Sequence, residues 1–148
     1  MLKRDLIMVQ IEELGKMVAQ VIFNRNNNAA GKNPELIQTV FENLKLDQDF
    51  LMTTAPNDIL RFLDSEEKSG ILRLEIAIKT LIESSYLQPK NQPGILRRAK
   101  ELLEYLQTHD TTFSLERVNL LNEIEKQLEC GLSPSQIREQ AAHDLILD

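Results

Sequence analysis

The two histidines are the first residues to weigh for chemistry, because an imidazole can serve as a metal ligand or as a general base. His109 lies in the segment QTHDTT at a predicted helix end, where histidines commonly cap carbonyls or meet solvent. His143 follows Glu139 by four residues, so the two can share a helix face. A metal site needs more ligands than this pair supplies, and the sequence has no HExxH motif or Cys/His cluster. We therefore expect no metal ligands.

Paired glutamates could indicate a carboxylate-bridged di-metal bundle, and two such pairs are Glu12 with Glu13 and Glu101 with Glu104. Di-metal bundles combine inward-facing glutamates with Glu-x-x-His motifs on two helices. The sequence contains no Glu-x-x-His motif. All four glutamates also lie opposite apolar stripes, so we expect them to face solvent.

The single cysteine is Cys130, which has no second cysteine for an internal disulfide. It precedes Gly131 at a predicted helix C-terminus, where the helix dipole disfavours a thiolate. The sequence also has no phosphate-binding glycine loop and no nucleophile elbow. We expect neither catalytic residues nor a cofactor, and therefore no enzyme.

The elements that would position any site are amphipathic helices. From Pro93 to Gln107 the apolar residues recur with a period near 3.6, whereas Arg97, Lys100 and Glu104 lie on the opposite face. This stripe comprises Ile95, Leu96, Ala99, Leu102, Leu103 and Leu106. No segment alternates convincingly enough to be a strand, so the chain is predicted to be all-α.

The first helix is predicted from about Lys3 to Asn24. Gly15 lies in its middle, where either close approach of another helix or simple tolerance could account for a glycine. Its apolar stripe comprises Ile7, Ile11, Leu14, Val18 and Val21. The segment NRNNNAAGKN, residues 24–33, is interpreted as a flexible loop.

Asn33 and Pro34 are predicted as the N-cap and first residue of the next helix, whose stripe is Leu36, Ile37, Val40, Phe41 and Leu44. Two short helices follow, one capped by Asp47 and one beginning at Pro56. Helices this short are marginal in isolation. Tertiary contacts must therefore hold them.

Asp64 and Glu67 have capping-box spacing and introduce the longest apolar segment, Ile71 to Leu87. Its apolar coverage is broad, so this helix is expected to lie centrally with neighbours on two sides. After it and the Pro93–Gln107 helix, Ser114 is predicted as an N-cap with Phe113 and Val118 as a hydrophobic staple. Gly131 then ends that helix, and Ser133–Pro134 begins a last one with the stripe Ala141, Leu145 and Ile146.

The fold prediction is an all-α stack of antiparallel helical hairpins, a tetratricopeptide-like or bundle arrangement with about five long and two short helices. Residues 1–148 are expected to form one helical domain, with 1–64 and 65–148 as sub-units. Helix starts near residues 66, 93, 114 and 134 do not follow the tetratricopeptide spacing of about 34 residues, so no regular repeat is predicted.

The net charge of −6 argues against bulk nucleic-acid binding, which requires a cationic surface. The segment GLSPSQIREQAA resembles the opening of a helix-turn-helix, but no recognition helix is expected before Asp148. Arg97, Arg98 and Lys100 form a small basic cluster that neighbouring glutamates offset. We therefore do not expect nucleic-acid binding.

Acidic residues interrupt the N-terminal apolar segment at Asp5, Glu12 and Glu13, and no apolar run approaches membrane-spanning length. No membrane partner is expected. The lone cysteine requires no oxidising compartment, so the cytoplasm is the expected location.

The segment RDLIMVQIEELGKMVAQVIF, from Arg4 to Phe23, resembles the start of an uncharacterised bacterial family of small, all-helical, tetratricopeptide-like proteins. The matching features are Arg4–Asp5, Ile7, Ile11–Glu12, Leu14–Gly15 and the apolar run that follows. The resemblance implies an all-helical fold. It carries no established activity to this chain.

The leading functional hypothesis is a non-catalytic helical adaptor or scaffold that binds a protein partner, or itself as a homodimer, through an exposed helix face. Its candidate interface residues are Ile7, Ile11, Leu14 and Val18, which could equally form the core because apolar stripes normally pack within their own domain. The alternative is a small-molecule sensor or minor enzyme with a pocket between helices. An enclosed polar cavity would favour the alternative, and an exposed apolar groove would favour the adaptor.

Overall fold

The computed structural model describes residues 2–65, 69–110, 112 and 114–130, with side chains for all of these except residues 2–5 and 130. Over these ranges the chain is all-helical without a strand, which confirms the predicted fold class. A 3-10 turn at Ala30–Lys32 accompanies the α-helices. These are α1 (Leu2–Asn26), α2 (Asn33–Leu44), α3 (Gln48–Thr53), α4 (Pro56–Leu63), α5 (Gly70–Ser85), α6 (Gln92–His109) and α7 (Leu115–Cys130).

The chain divides into two compact units, Met1–Phe113 and Ser114–Asp148. The sub-units expected from the sequence, 1–64 and 65–148, stay a prediction. Helix α5, which follows residue 64, packs against α1, α2 and α4, which precede it. The first unit therefore holds α1 to α6, and the second holds α7.

Helix α5 is the centre of the first unit, as its broad apolar coverage predicted. It contacts α1, α2, α4 and α6. Leu74, Ala77, Ile78 and Leu81 of α5 are completely buried. The connections between α1 and α2 and between α5 and α6 are short, and the two helices of each pair are in contact.

The predicted apolar stripes form the core. All six stripe residues of α6 are buried, and so are the five of α1. In α2, Ile37, Val40, Phe41 and Leu44 are buried, whereas Leu36 is half-buried. Burying such side chains stabilises the fold by roughly 1.5 to 3 kcal/mol each. Because each helix buries one face, its apolar residues recur at helical spacing, and this spacing predicted the helices.

The predicted N-cap role of Asn33 is wrong. Asn33 is itself helical, Lys32 precedes it as the N-cap, and neither provides a side-chain cap. The Asn33 amide instead turns inward, where it donates to the Val21 carbonyl at 3.0 Å and accepts from the Asn24 amide at 3.1 Å. The stretch predicted as a loop is also shorter, because α1 continues to Asn26.

A hydrogen bond joins Asp64, at the end of α4, to Gly70, the first residue of α5. The sequence placed Asp64 as the first residue of a capping box, but α5 begins later, at Gly70, and Asp64 ends α4. The Asp64 carboxylate still accepts a hydrogen bond from the Gly70 amide at 3.0 Å, so it satisfies a helix-start donor from outside the helix. Glu67 lies outside the described residues.

In the second unit, Ser114 is the N-cap that the sequence predicted. Its hydroxyl accepts from the Arg117 amide at 3.3 Å. On α7, Ile124 is buried and Leu115 is exposed. Phe113, the stop at Gly131 and the last predicted helix lie outside the described residues.

A membrane-spanning helix would have to be both long and strongly apolar, and none of the helices in the described ranges meets both conditions.

Candidate functional site

The four predicted interface residues lie in the core of the first unit. Their exposed fractions are 5% for Ile7, 8% for Ile11, 3% for Leu14 and 4% for Val18. They belong to the helix that packs against α2 and α5. A partner could reach them only if these helices separated, so a surface site has to be sought elsewhere.

Those residues considered for chemistry whose side chains the structure describes are distributed over the surface. His109 is the last residue of α6, and its ring stacks on Tyr105 with centroids 4.0 Å apart. Its Nδ1 lies 3.1 Å from the Tyr105 carbonyl oxygen. Glu12, Glu13, Glu101 and Glu104 are exposed, as predicted. His143 and the side chain of Cys130 lie outside the described residues.

No group of three or more His, Cys, Asp or Glu side chains within the described ranges is placed to hold a metal ion.

The basic cluster predicted on α6 is divided by the fold. Arg98 points inward with its side chain 12% exposed, and its Nε donates to the Leu51 carbonyl at 2.7 Å. A second guanidinium nitrogen donates to the Thr54 carbonyl. Arg97 is exposed, and Lys100 pairs with Glu104 at 4.0 Å. Arg98 therefore caps the carbonyls at the end of α3.

An open groove with an apolar floor lies between α2 and the end of α5. Its volume is about 430 Å³, within the range of roughly 300 to 1,000 Å³ that is typical of ligand sites. We call it the α2–α5 groove. Its apolar lining consists of Pro34, Ile37, Phe41, Leu46 and Leu87.

The apolar lining follows from local structure. Ile37 and Phe41 are one helical turn apart on α2, so both face the same side. Lys45 then adopts a left-handed conformation with φ of 62°, and the Leu46 amide donates back to the Phe41 carbonyl at 3.1 Å. This Schellman motif turns the chain at the helix end and brings Leu46 to the groove. Leu87, just beyond α5, is 39% exposed.

One end of the groove is closed by a polar network. The side-chain amides of Gln48 and Gln88 bond to each other in both directions, at 2.8 Å and 3.2 Å. The Ser84 hydroxyl donates to the Gln48 amide oxygen at 2.7 Å. Because these amides already satisfy one another, the network fixes the end of α5 to the start of α3 and presents few unused polar groups.

Two carboxylates line the groove at its surface. Glu42 accepts from the Gln38 amide at 3.0 Å, and Asp47 accepts from the Phe50 backbone amide at 2.8 Å. The latter bond is the N-cap of α3 that the sequence predicted. Both residues are exposed, and neither has an ion pair within 4.0 Å in the described part of the chain. These two carboxylates could therefore pair with positively charged groups of a ligand in the groove.

A second depression of about 390 Å³ adjoins the groove, because both are lined by Glu42, Leu46 and Asp47. Phe50 and Phe62 line its other side with their rings 5.2 Å apart. Phe62 is 42% exposed, which is high for a phenylalanine side chain. The two depressions extend the apolar surface from Leu87 towards α4.

A third depression of about 380 Å³ lies on the other side of Gln48. Met52, Ile95 and Gly94 line it together with Lys90. Lys90 provides positive charge there, whereas the charged residues that line the groove within the described ranges, Glu42 and Asp47, are both acidic.

No protein-family model, curated protein or solved structure matches the chain.

The groove could not be predicted from the sequence, because its two walls are far apart in the chain. Phe41 and Leu46 belong to one wall, and Leu87 and Gln88 to the other. Leu87 was grouped with the apolar segment of α5, and the Gln48–Gln88 pair has no local signature. Of the residues that line the groove, Asp47 had a recognisable sequence signal, because its predicted capping role located the start of α3.

Proposed function

We propose that this chain is a non-catalytic adaptor that binds a segment of a partner protein in the α2–α5 groove. The observation that carries the proposal is the open apolar surface formed by Leu46 and Leu87 above the buried Phe41. A partner segment that binds in a groove typically places its apolar side chains against the apolar residues of the groove.

The polar side chains at the end of the groove are hydrogen-bonded to one another, and this favours an adaptor over a protein that binds a small molecule. A small-molecule pocket usually directs a few polar groups at its ligand. Here the amides of Gln48 and Gln88 are bonded to each other and to Ser84. The groove is also open, so a ligand would remain largely in contact with water. A long partner segment can cover such a surface more completely than a small molecule can.

Photo-crosslinking tests this proposal. A photoreactive residue is placed at Leu87 in the groove and, as a matched control, at Leu72, which lies near the other end of α5. These residues are almost equally exposed, at 39% and 41%. We expect a discrete crosslinked partner in native cells from position 87 and none from position 72.

The captured partner is then purified and its affinity measured directly. Loss of a central apolar contact typically costs about 2 kcal/mol, or roughly 30-fold in affinity. Leu87→Asp should weaken binding by about this factor or more, and Leu72→Asp should leave it unchanged. Equal crosslinking at both positions, or equal effects of the two substitutions, contradicts the proposal.

A further inference from the structure

We infer that the occupant of the α2–α5 groove is a basic amphipathic helix of the partner protein. This inference rests on the proposed function and adds the conformation and charge of the bound segment. It is carried by the position of Glu42 and Asp47, which have no ion pair among the described residues, beside an apolar floor built from helices.

The groove suits a helix because of the elements that form it. Ile37 and Phe41 provide an apolar surface along α2, and Leu87 provides the opposite side. A helical ligand places apolar side chains at positions i, i+3 or i+4, and i+7, which matches a groove between helices. The other common mode adds a strand to a sheet edge, and the described residues contain no strand to be extended.

The charge of the groove favours a basic ligand. Residues 33–64, which include α2 to α4, carry six Asp/Glu and two Lys/Arg. Most of the chain's net charge of −6 is therefore concentrated in this segment. Glu42 and Asp47 line the groove itself, and Lys45 is a cation of the adjoining depression. Lysine or arginine beside the apolar residues of a ligand would complement both carboxylates.

The same charge argues against a second copy of this chain as the occupant. Two copies would bring together surfaces that carry like charge, and like-charge contacts across an interface are unfavourable. A separate partner with positive charge meets no such repulsion.

Selection from an unbiased peptide library tests the inference. A displayed library of random peptides, each about 16 residues long so that a helix can form, is selected against the purified chain. We expect the enriched sequences to carry net positive charge, with apolar residues spaced three or four apart. Enrichment of acidic, neutral or proline-rich sequences, enrichment of a peptide from this chain, or no enrichment at all overturns the inference.

The best enriched peptide is then synthesised as the probe. Its affinity should fall about fivefold for the double variant Glu42→Gln, Asp47→Ser, since each exposed pair contributes up to about 1 kcal/mol. Serine retains the N-cap of α3, so the variant should remain folded. Added salt should weaken binding of the native chain more than binding of the variant. Lys45→Gln is the control, because it removes a positive charge beside the groove and not a negative one. It should therefore strengthen binding of the basic peptide.

Two further variants separate this inference from the proposed function. A proline at the centre of the peptide should abolish binding, because it breaks a helix. Leu87→Asp should also abolish binding, whereas Leu72→Asp should not. If Leu87→Asp has no effect, the groove proposal itself fails. If Leu87→Asp abolishes binding but the charge variants and the proline have no effect, only the basic helix is excluded.

Discussion

Arg25 and Glu83 form a bidentate ion pair between the end of α1 and the last turn of α5. The Arg25 Nε donates to Oε1 of Glu83 at 2.7 Å, and a terminal nitrogen donates to Oε2 at 3.1 Å. The guanidinium also lies 4.0 Å from the ring centre of Tyr86. Glu83 is only 5% exposed, so Arg25 compensates a carboxylate that is largely removed from water.

Arg25→Ala should lower the free energy of unfolding by about 2 to 3 kcal/mol, because it leaves a buried carboxylate uncompensated. This estimate lies below that for a fully buried pair, since the Arg25 side chain is 28% exposed. The double variant Arg25→Met, Glu83→Met should be more stable than Arg25→Ala. Urea unfolding measures both.

The control for this pair is Lys16, which forms an exposed ion pair with Glu13 at 3.5 Å. Lys16→Ala should change stability by less than about 0.5 kcal/mol. Equal losses from Lys16→Ala and Arg25→Ala would mean that burial does not determine the importance of the Arg25 pair.

Gly70 has no room for a side chain. A Cβ at this position would lie 2.7 Å from the Asp64 Cβ and 2.9 Å from the Asp64 Cα. Gly70→Ala should therefore destabilise the chain by about 1 to 3 kcal/mol through overpacking. Thermal unfolding of the purified variant measures the loss.

Gly15, unlike Gly70, has room for a side chain, and its alanine variant is compared by the same thermal unfolding. Gly15 lies within α1, and a Cβ there would have no neighbour within 4 Å among the residues that the structure describes. Of the two explanations that the sequence left open, close approach of another helix is therefore wrong. Gly15→Ala should stabilise the chain by about 0.5 to 1 kcal/mol, because alanine has the higher helix propensity. A destabilised Gly15→Ala variant would contradict this account of α1.

Arg98 should be required for the order of α3. This helix has six residues, and a helix that short is marginal without tertiary contacts. Arg98 supplies donors to the Leu51 and Thr54 carbonyls at its end. Arg98→Ala should cost about 2 kcal/mol and should accelerate hydrogen exchange mainly within Gln48–Thr53.

The neighbouring Arg97 is the matched control for Arg98, because it has the same charge and is exposed on the same helix. Arg97→Ala should leave exchange in α3 unchanged. If both variants accelerate exchange equally, net charge is responsible, and the carbonyl contacts are not.

Lys45 offers a stabilising substitution. It is a non-glycine residue with φ of 62°, a conformation that costs L-residues roughly 1 to 2 kcal/mol relative to glycine. Lys45→Gly should raise the free energy of unfolding by up to about 1 kcal/mol after the larger entropy loss of glycine is included. Lys32→Gly is the control, because Lys32 has φ of −94° and should gain nothing. The two midpoints in urea provide the comparison.

The helices could be predicted from the sequence because each one repeats apolar residues at a spacing that buries one face. This is why the stripes of α1, α2 and α6 were located without any tertiary information. The caps at Asp47 and Ser114 were also predictable, since a cap involves residues only three positions apart.

The remaining features depend on residues that are distant in sequence. Asn33 has the residue type and position of an N-cap, yet a buried carbonyl of α1 takes its side chain. Arg98 resembled one member of a charged surface cluster until the end of α3 was placed beside it. The α2–α5 groove could not be predicted either, because no local sequence pattern relates Phe41 to Leu87.

The central position of α5 has a consequence for synthesis on the ribosome. Helices α1 and α2 can pair as soon as both have emerged, but α4 has its main packing partner in a helix that is made later. Until Ser85 leaves the exit tunnel, Ile59 and Leu63 lack the surface that buries them in the finished protein. Nascent chains of this length should therefore be the preferred clients of chaperones that bind exposed apolar segments.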